Sequence, residues 1–168
     1  MEHRAFAFDW AAFEREFLPT LERSLAGNEG LEIREFITAQ WRLLRDPYEG
    51  EPLPENWREA VEGGDLQLIA DYAITKYYKP SEEFGLGLHW MRLETELPEE
   101  GRIALLGTPL GPQHRRFDPG RMGSYFQSWS QLHKSVAALE GLEIPILRQY
   151  RETLRSCMKR ELGLYVTF

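Results

Sequence analysis

The amino-acid sequence predicts a mainly α-helical fold, with α+β character supplied by a small sheet from the chain termini and residues 102–106. Three observations carry that expectation. Apolar residues recur at spacings of three and four through most of the chain, as in helices with one buried face. The two ends alternate instead, Arg4-Ala5-Phe6-Ala7-Phe8 and Leu164-Tyr165-Val166-Thr167-Phe168, as strands do. The 168 residues suit one core, and no linker is long enough to divide them, so a single domain over residues 1–168 is expected.

Asp9 is placed to cap a helix with Trp10, Phe13, Phe17, Leu21 and Leu25 on one face. Pro19, lacking a backbone donor, should kink or split it, and Gly27 should end it. A second helix carries Leu31, Phe36, Ile37, Trp41 and Leu44 and stops at Asp46-Pro47. The following stretch, PYEGEPLPEN, reads as an extended crossing loop. A short helix from Trp57 to Val61 is closed by Gly63-Gly64. Asp65 then caps a helix with Leu66, Ile69, Ala70, Ala73, Ile74 and Tyr77 on one face, ending at Lys79-Pro80. Residues 81–97 fit a strand by the alternation of Leu86, Leu88 and Trp90, and a helix by the spacing of Leu86, Trp90, Leu93 and Leu97. The longer pattern and the stop at Pro98 favour a helix from about Leu88. Residues 107–123 are the longest turn-rich stretch, with four Gly and three Pro. Ser124 and Gln127 have capping-box spacing before a helix carrying Tyr125, Phe126, Trp129, Leu132 and Val136. Pro145 suits the first turn of a last helix with Leu147, Tyr150, Leu154 and Met158, stopped by Gly163.

No uncharged apolar run approaches the roughly 18 residues of a membrane span. Arg4 and Asp9 bracket only four apolar residues, unlike a secretory signal, and Cys157 is the sole cysteine. A cytoplasmic protein without disulfides and without membrane association is the expectation. The net charge of −7 is unevenly placed: residues 1–84 hold 18 Asp+Glu against 9 Lys+Arg, and residues 85–168 hold 9 against 11. Either the basic elements pack beside the acidic ones, or one face is tuned to a charged partner. Duplex nucleic acid is not an expected partner, because its phosphates would repel the acidic half.

Motifs that carry chemistry are sparse. There is no HExxH helix, GxSxG elbow, Walker loop or GxGxxG turn. His3, His89, His114 and His133 stand apart, and Cys157 reads as a buried inert thiol beside the apolar stripe of the last helix. No catalytic residue, metal or cofactor is expected, and enzyme is the less favoured class. The richest constellation is the loop 107–123, where His114, Arg115, Arg116 and Arg121 precede the helix expected from Ser124. Guanidinium forks beside the unpaired N–H groups of a helix start suit an anionic ligand or an acidic patch on a partner. The structural alternative is a crossing loop whose arginines pair with the acidic first half. Arg148, Arg151, Arg155 and Lys159 form a basic stripe on the last helix, explained most simply by pairing within the fold and by the helix dipole. Trp57, in polar surroundings after the Pro-rich loop, is the tryptophan singled out as a partner anchor, whereas the others suit the core.

The succession LHWMRLETEL, IALLGTPLG and GRMGSYFQSWSQLHKSVAAL within residues 86–140 resembles the YfbM-like bacterial family of unknown function. The likeness lies in a Trp-bearing helix, a Gly-marked turn and a helix entered through an aromatic and Ser/Gln-type cap. It covers about a third of the chain. It implies a compact bacterial α+β domain and carries over no functional residue.

The function expected from these traits is protein recognition. The chain reads as an immunity- or inhibitor-like module that neutralises a basic partner through Glu49, Glu51, Glu55, Glu59 and Glu62 near the crossing loop. The alternative is an enzyme or sensor holding a small anionic metabolite at Arg115, Arg116, Arg121 and the Ser124 helix start, with His114 as acid or base. The first expectation requires that those carboxylates stay free of the protein's own cations.

Overall fold

The computed structural model describes residues 2–61 and 63–168. Strand β1 (His3–Phe8) leads into helices α1 (Trp10–Glu16), α2 (Leu18–Gly27) and α3 (Leu31–Gln40). After the crossing loop come α4 (Trp57–Val61) and α5 (Leu66–Ile74), then strand β2 (Phe84–Gly87) and helices α6 (Trp90–Glu96) and α7 (Glu99–Leu106). The loop 107–123 connects to strand β3 (Ser124–Gln127), helices α8 (Trp129–Glu140) and α9 (Leu147–Lys159), and strand β4 (Gly163–Thr167). The strands form one antiparallel sheet in the order β2-β1-β4-β3, so the fold is α+β with helices predominating.

The alternating ends of the chain are its two central strands, with Phe6 opposite Tyr165 and Phe8 opposite Gly163. Successive side chains leave a strand on opposite faces, and here both faces are covered. Phe6, Phe8, Phe126 and Tyr165 join Phe13, Phe17, Leu21, Ile33 and Ile69 in one core beneath α1, α2, α3 and α5. Ala5, Leu164 and Val166 join Leu105, Leu132, Val136 and Leu154 in the other, beneath α6 to α9. Gly163 is required where it stands, because a Cβ there would meet the Gln127 carbonyl and the Cβ of Trp10. The first helical layer comes from residues 9–83, which hold 17 Asp+Glu against 8 Lys+Arg. The second comes from residues 88–106 and 128–162, which hold 8 of each. The charge asymmetry of the sequence thus becomes an acidic layer and a neutral layer separated by the sheet.

The capping signals mostly act as their positions predict. Ala12 N–H donates to the Asp9 carboxylate and Leu68 N–H to that of Asp65, both at 3.0 Å. Pro19 sits in the first turn of α2, where its missing donor costs no helical bond, and the helical pattern divides at Phe17. Two expectations are corrected. Residues 102–106 are not a strand but the end of α7, whose first turn places Glu99 and Glu100 at the positive end of the helix dipole. Ser124 does not start a helix. It lies in β3 opposite Thr167, while Tyr125 and Phe126 complete the ladder against Val166 and Tyr165. The capping box belongs to Ser128 and Gln131: Gln131 N–H donates to Ser128 Oγ, and Ser128 N–H donates to the Gln131 side-chain oxygen at 2.7 Å. Residues 81–97 divide between both readings, with β2 followed by α6.

His3 is the buried histidine of this scaffold. Its Nδ1 accepts from Leu86 N–H at 3.4 Å, so Nε2 carries the hydrogen and donates to the Leu105 carbonyl at 3.4 Å. Trp90, Tyr150 and Phe168 enclose the ring. Burial lowers its pKa to about 4, against the two hydrogen-bonded carbonyl contacts that favour the cation. The unfolded chain therefore takes up this proton first, and the stability from neutral His3 is lost as pH falls from about 6.5 toward 4. Urea unfolding at pH 6.5 and 4.5 should show a smaller loss for His3→Gln than for the wild type, by on the order of 2 kcal/mol.

Candidate functional site

Helix α5 buries Ile69, Ala70, Asp71, Tyr72, Ala73 and Ile74 in succession. A carboxylate in that run is the outlier. Asp71 is only 5% exposed, and its side chain accepts no hydrogen bond from the described residues. It lines a cavity of about 40 Å³ whose wall includes Arg4, Phe6, Tyr48, Tyr78, Tyr165 and Thr167. The ends of β1 and β4, helix α5 with Tyr78 beyond it, the turn at residues 46–50, and Pro119 and Gly120 of the loop 107–123 build it.

Asp46 holds that turn. Its Oδ1 accepts from the N–H groups of Tyr48 and Glu49, both at 2.8 Å, and its Oδ2 accepts from the Tyr72 hydroxyl at 3.2 Å. Thr75 secures the preceding residue, its hydroxyl accepting from Arg45 N–H at 2.9 Å and donating to the Tyr72 carbonyl at 2.7 Å. Tyr48 is thereby fixed at the cavity's outer wall, 58% exposed. Arg4 reaches the same cavity, but its guanidinium is held by Glu83 at 2.7 Å. Burial pushes the Asp71 carboxyl up to about 7; the nearby Asp46 charge adds to the rise and Arg4 opposes it. Burial likewise raises Tyr78 and Tyr165, so both phenols stay neutral donors at neutral pH.

The loop 107–123 is ordered against the first layer, and its predicted site residues part company. Arg115 turns inward and donates to the Leu25 and Ala26 carbonyls at 3.1 and 3.2 Å, closing the C-terminal end of α2. His114, Arg116 and Arg121 are exposed. Arg116 and Ser124 line one cavity of about 80 Å³ with Asp118 and Phe117. The Gln67 side chain clamps the loop backbone, donating to the Arg116 carbonyl and accepting from Asp118 N–H. The helix start expected beside these arginines is absent from the cradle, because α8 begins only at Trp129. On α9, Arg151 donates to the Leu139 and Leu142 carbonyls at the end of α8, and Arg155 pairs with Glu140. Trp57 is buried in the core, with the Arg58 guanidinium 5.4 Å from its ring centre.

The acidic residues of the crossing loop are disposed differently. Glu49, Glu51, Glu55 and Glu59 are exposed, whereas Glu62 lies outside the described residues. Among the described residues, ion pairs engage Glu16, Glu32, Glu82, Glu83, Glu96 and Glu140, and none of the loop carboxylates. The cations closest in sequence are turned elsewhere: Arg45 donates to the Gly50 carbonyl, and Arg42 and Arg58 lie over the rings of Trp41 and Trp57. No group of three potential metal ligands and no helix long and apolar enough to cross a membrane occurs among the described residues. Comparison with family models, characterised proteins and solved structures finds no match to this chain.

Sequence reasoning missed Asp71, although a signal was present. Asp71 stands inside an otherwise apolar run, between Leu68-Ile69-Ala70 and Tyr72-Ala73-Ile74, where a charged residue is out of place. Its raised pKa sets a direction for stability. The unfolded chain loses this proton near pH 4 and the folded chain near 7, so stability falls as pH rises through that window. Asp71→Asn should match the wild type near pH 4 and exceed its melting temperature by several degrees at pH 8, read by calorimetry. Arg115→Ala should lower stability by about 1–2 kcal/mol through the lost α2 cap. Arg116→Ala and Arg121→Ala should stay within about 0.5 kcal/mol of the wild type in the same urea titrations.

Proposed function

We propose that this protein is a recognition module for a basic partner protein, acting as an immunity- or inhibitor-like neutraliser through its acidic layer. The observation that supports this reading is the set of exposed carboxylates Glu49, Glu51, Glu55 and Glu59, which meet none of the protein's own cations among the described residues. A surface that served only internal pairing would have drawn Arg42, Arg45 and Arg58 onto these groups. Unpaired rim charges of one sign raise association rates with an oppositely charged partner and repel like-charged competitors. Tyr48, exposed beside Glu49, supplies an aromatic contact of the kind that anchors interfaces.

Charge reversal at Glu49, Glu51, Glu55 and Glu59 together should leave the melting temperature nearly unchanged, because these side chains are exposed. In pull-downs at low salt, the wild type should retain a basic protein that the reversed chain loses, and the purified pair should associate more slowly as salt rises. Addition of the wild type should inhibit that partner's own activity. Equal recovery by both chains would overturn the reading.

A further inference from the structure

We propose that the Asp71 cavity is a binding site for a primary ammonium group, with the Asp71 carboxylate as its counter-ion. The inference rests on the recognition reading for the source of that group, a lysine side chain of the basic partner, but its chemistry stands on the cavity alone. An ionised carboxylate is an acceptor only, and burying one without a donor is unfavourable unless a ligand supplies the donor. Asp71 is buried and unpartnered among the described residues, and it lines an open cavity through which water or a ligand meets its carboxylate. The cation already present, Arg4, is engaged by Glu83.

Hydrogen-bonding need and lining select the class of ligand. About 40 Å³ is room enough for a small polar head such as an ammonium group. An ammonium head supplies N–H donors to the carboxylate, which a quaternary ammonium lacks. An ammonium brings three donors and a full charge, and Phe6, Tyr78 and Tyr165 give it aromatic neighbours. Asp46, hydrogen-bonded to Tyr72 beside the site, adds negative potential. The titratable groups around Asp71 are therefore Arg4 from β1, Asp46 and Tyr48 from the turn, Tyr72 on its own helix, Tyr78 after α5, and Tyr165 from β4. A ligand ammonium outweighs the single constrained cation among them. When it enters, protonated Asp71 releases its proton to solvent and the carboxylate pairs with the unchanged ammonium ion. At pH values between the free and bound midpoints of Asp71, part of a proton leaves per ligand bound; at pH 8, close to none does.

The test is an NMR titration of the intact protein, following the Asp71 side-chain carboxyl carbon against pH. Saturating ethylammonium chloride should lower the Asp71 midpoint by at least one pH unit, and tetramethylammonium and sodium chloride at equal concentration should not. In Asp71→Asn the saturable backbone shifts around Tyr48, Tyr78 and Tyr165 should vanish, and calorimetry should show that this chain remains folded. An acetyl-Gly-Lys-Gly-amide peptide identifies the source: binding at least as tight as ethylammonium assigns the site to a protein lysine, and weaker binding assigns it to a small free amine. Reversal of Glu49, Glu51, Glu55 and Glu59 should leave ethylammonium binding within about threefold, which separates this inference from the fate of the acidic face. An unmoved Asp71 midpoint, or an equal response to tetramethylammonium, overturns it.

Discussion

The pairing of the chain's two ends is the constraint on which the rest depends. With β1 and β4 side by side, Phe6 opposite Tyr165, the sheet acquires a centre whose faces must both be covered. A slip of one residue would exchange the faces, sending Phe6 and Phe8 toward the core that now accepts Ala5 and Leu164. The bulky aromatic residues fit only the layer made by α1 to α5, so side-chain volume and register enforce each other. The same pairing assembles the Asp71 cavity, because Arg4 and Phe6 enter from one end of the chain and Tyr165, Thr167 and Phe168 from the other. The site exists only when residues some 160 positions apart have met.

Where the arginines go decides what the acidic layer can do. Arg34 donates to the Val61 and Gly64 carbonyls, Arg45 to Gly50, Arg115 to Leu25 and Ala26, and Arg151 to Leu139 and Leu142. A guanidinium at a helix end satisfies several carbonyls that have lost their helical donors and meets the negative end of the dipole. Exposed ion pairs contribute little by comparison. The fold thus directs these cations to backbone oxygens, and the crossing-loop carboxylates remain unneutralised. That outcome could not be read from charge counts, because carbonyls carry no sequence signature.

Much of the scaffold was legible for physical reasons that can be traced residue by residue. Asp9 and Asp65 precede apolar residues at helical spacing, and the alternating ends had only each other as long strands to pair with. The errors arose where two local solutions compete. Ser124-x-x-Gln127 and Ser128-x-x-Gln131 both satisfy the capping-box spacing, and the open edge of β4 chose the later one by drawing Tyr125 and Phe126 into the sheet. Residues 102–106 were too short for periodicity to separate strand from helix, although Pro98-Glu99-Glu100 is a helix start. At the candidate site, the exposed glutamates were legible as charge near a Pro-rich loop. Asp71 was not, since its significance lies in what surrounds it, and that is set by both ends of the chain.

Two buried ionisable groups show the difference between a structural and a functional residue. His3 is buried neutral, and both ring nitrogens have partners, Leu86 N–H on one side and the Leu105 carbonyl on the other. Its replacement would leave unpaired backbone groups, which is reason enough for its presence. Asp71 makes no such bond among the described residues. It lowers stability as pH rises from about 4 to about 7, in opposition to His3 over much of the same interval. An uncharged side chain of similar shape would serve the packing of α5 better. A carboxylate that costs the folded state and accepts no hydrogen bond among the described residues finds its explanation in something that arrives from outside, and the cavity beside it, lined by aromatic rings and adjoining an acidic turn, has the polarity to receive a cation.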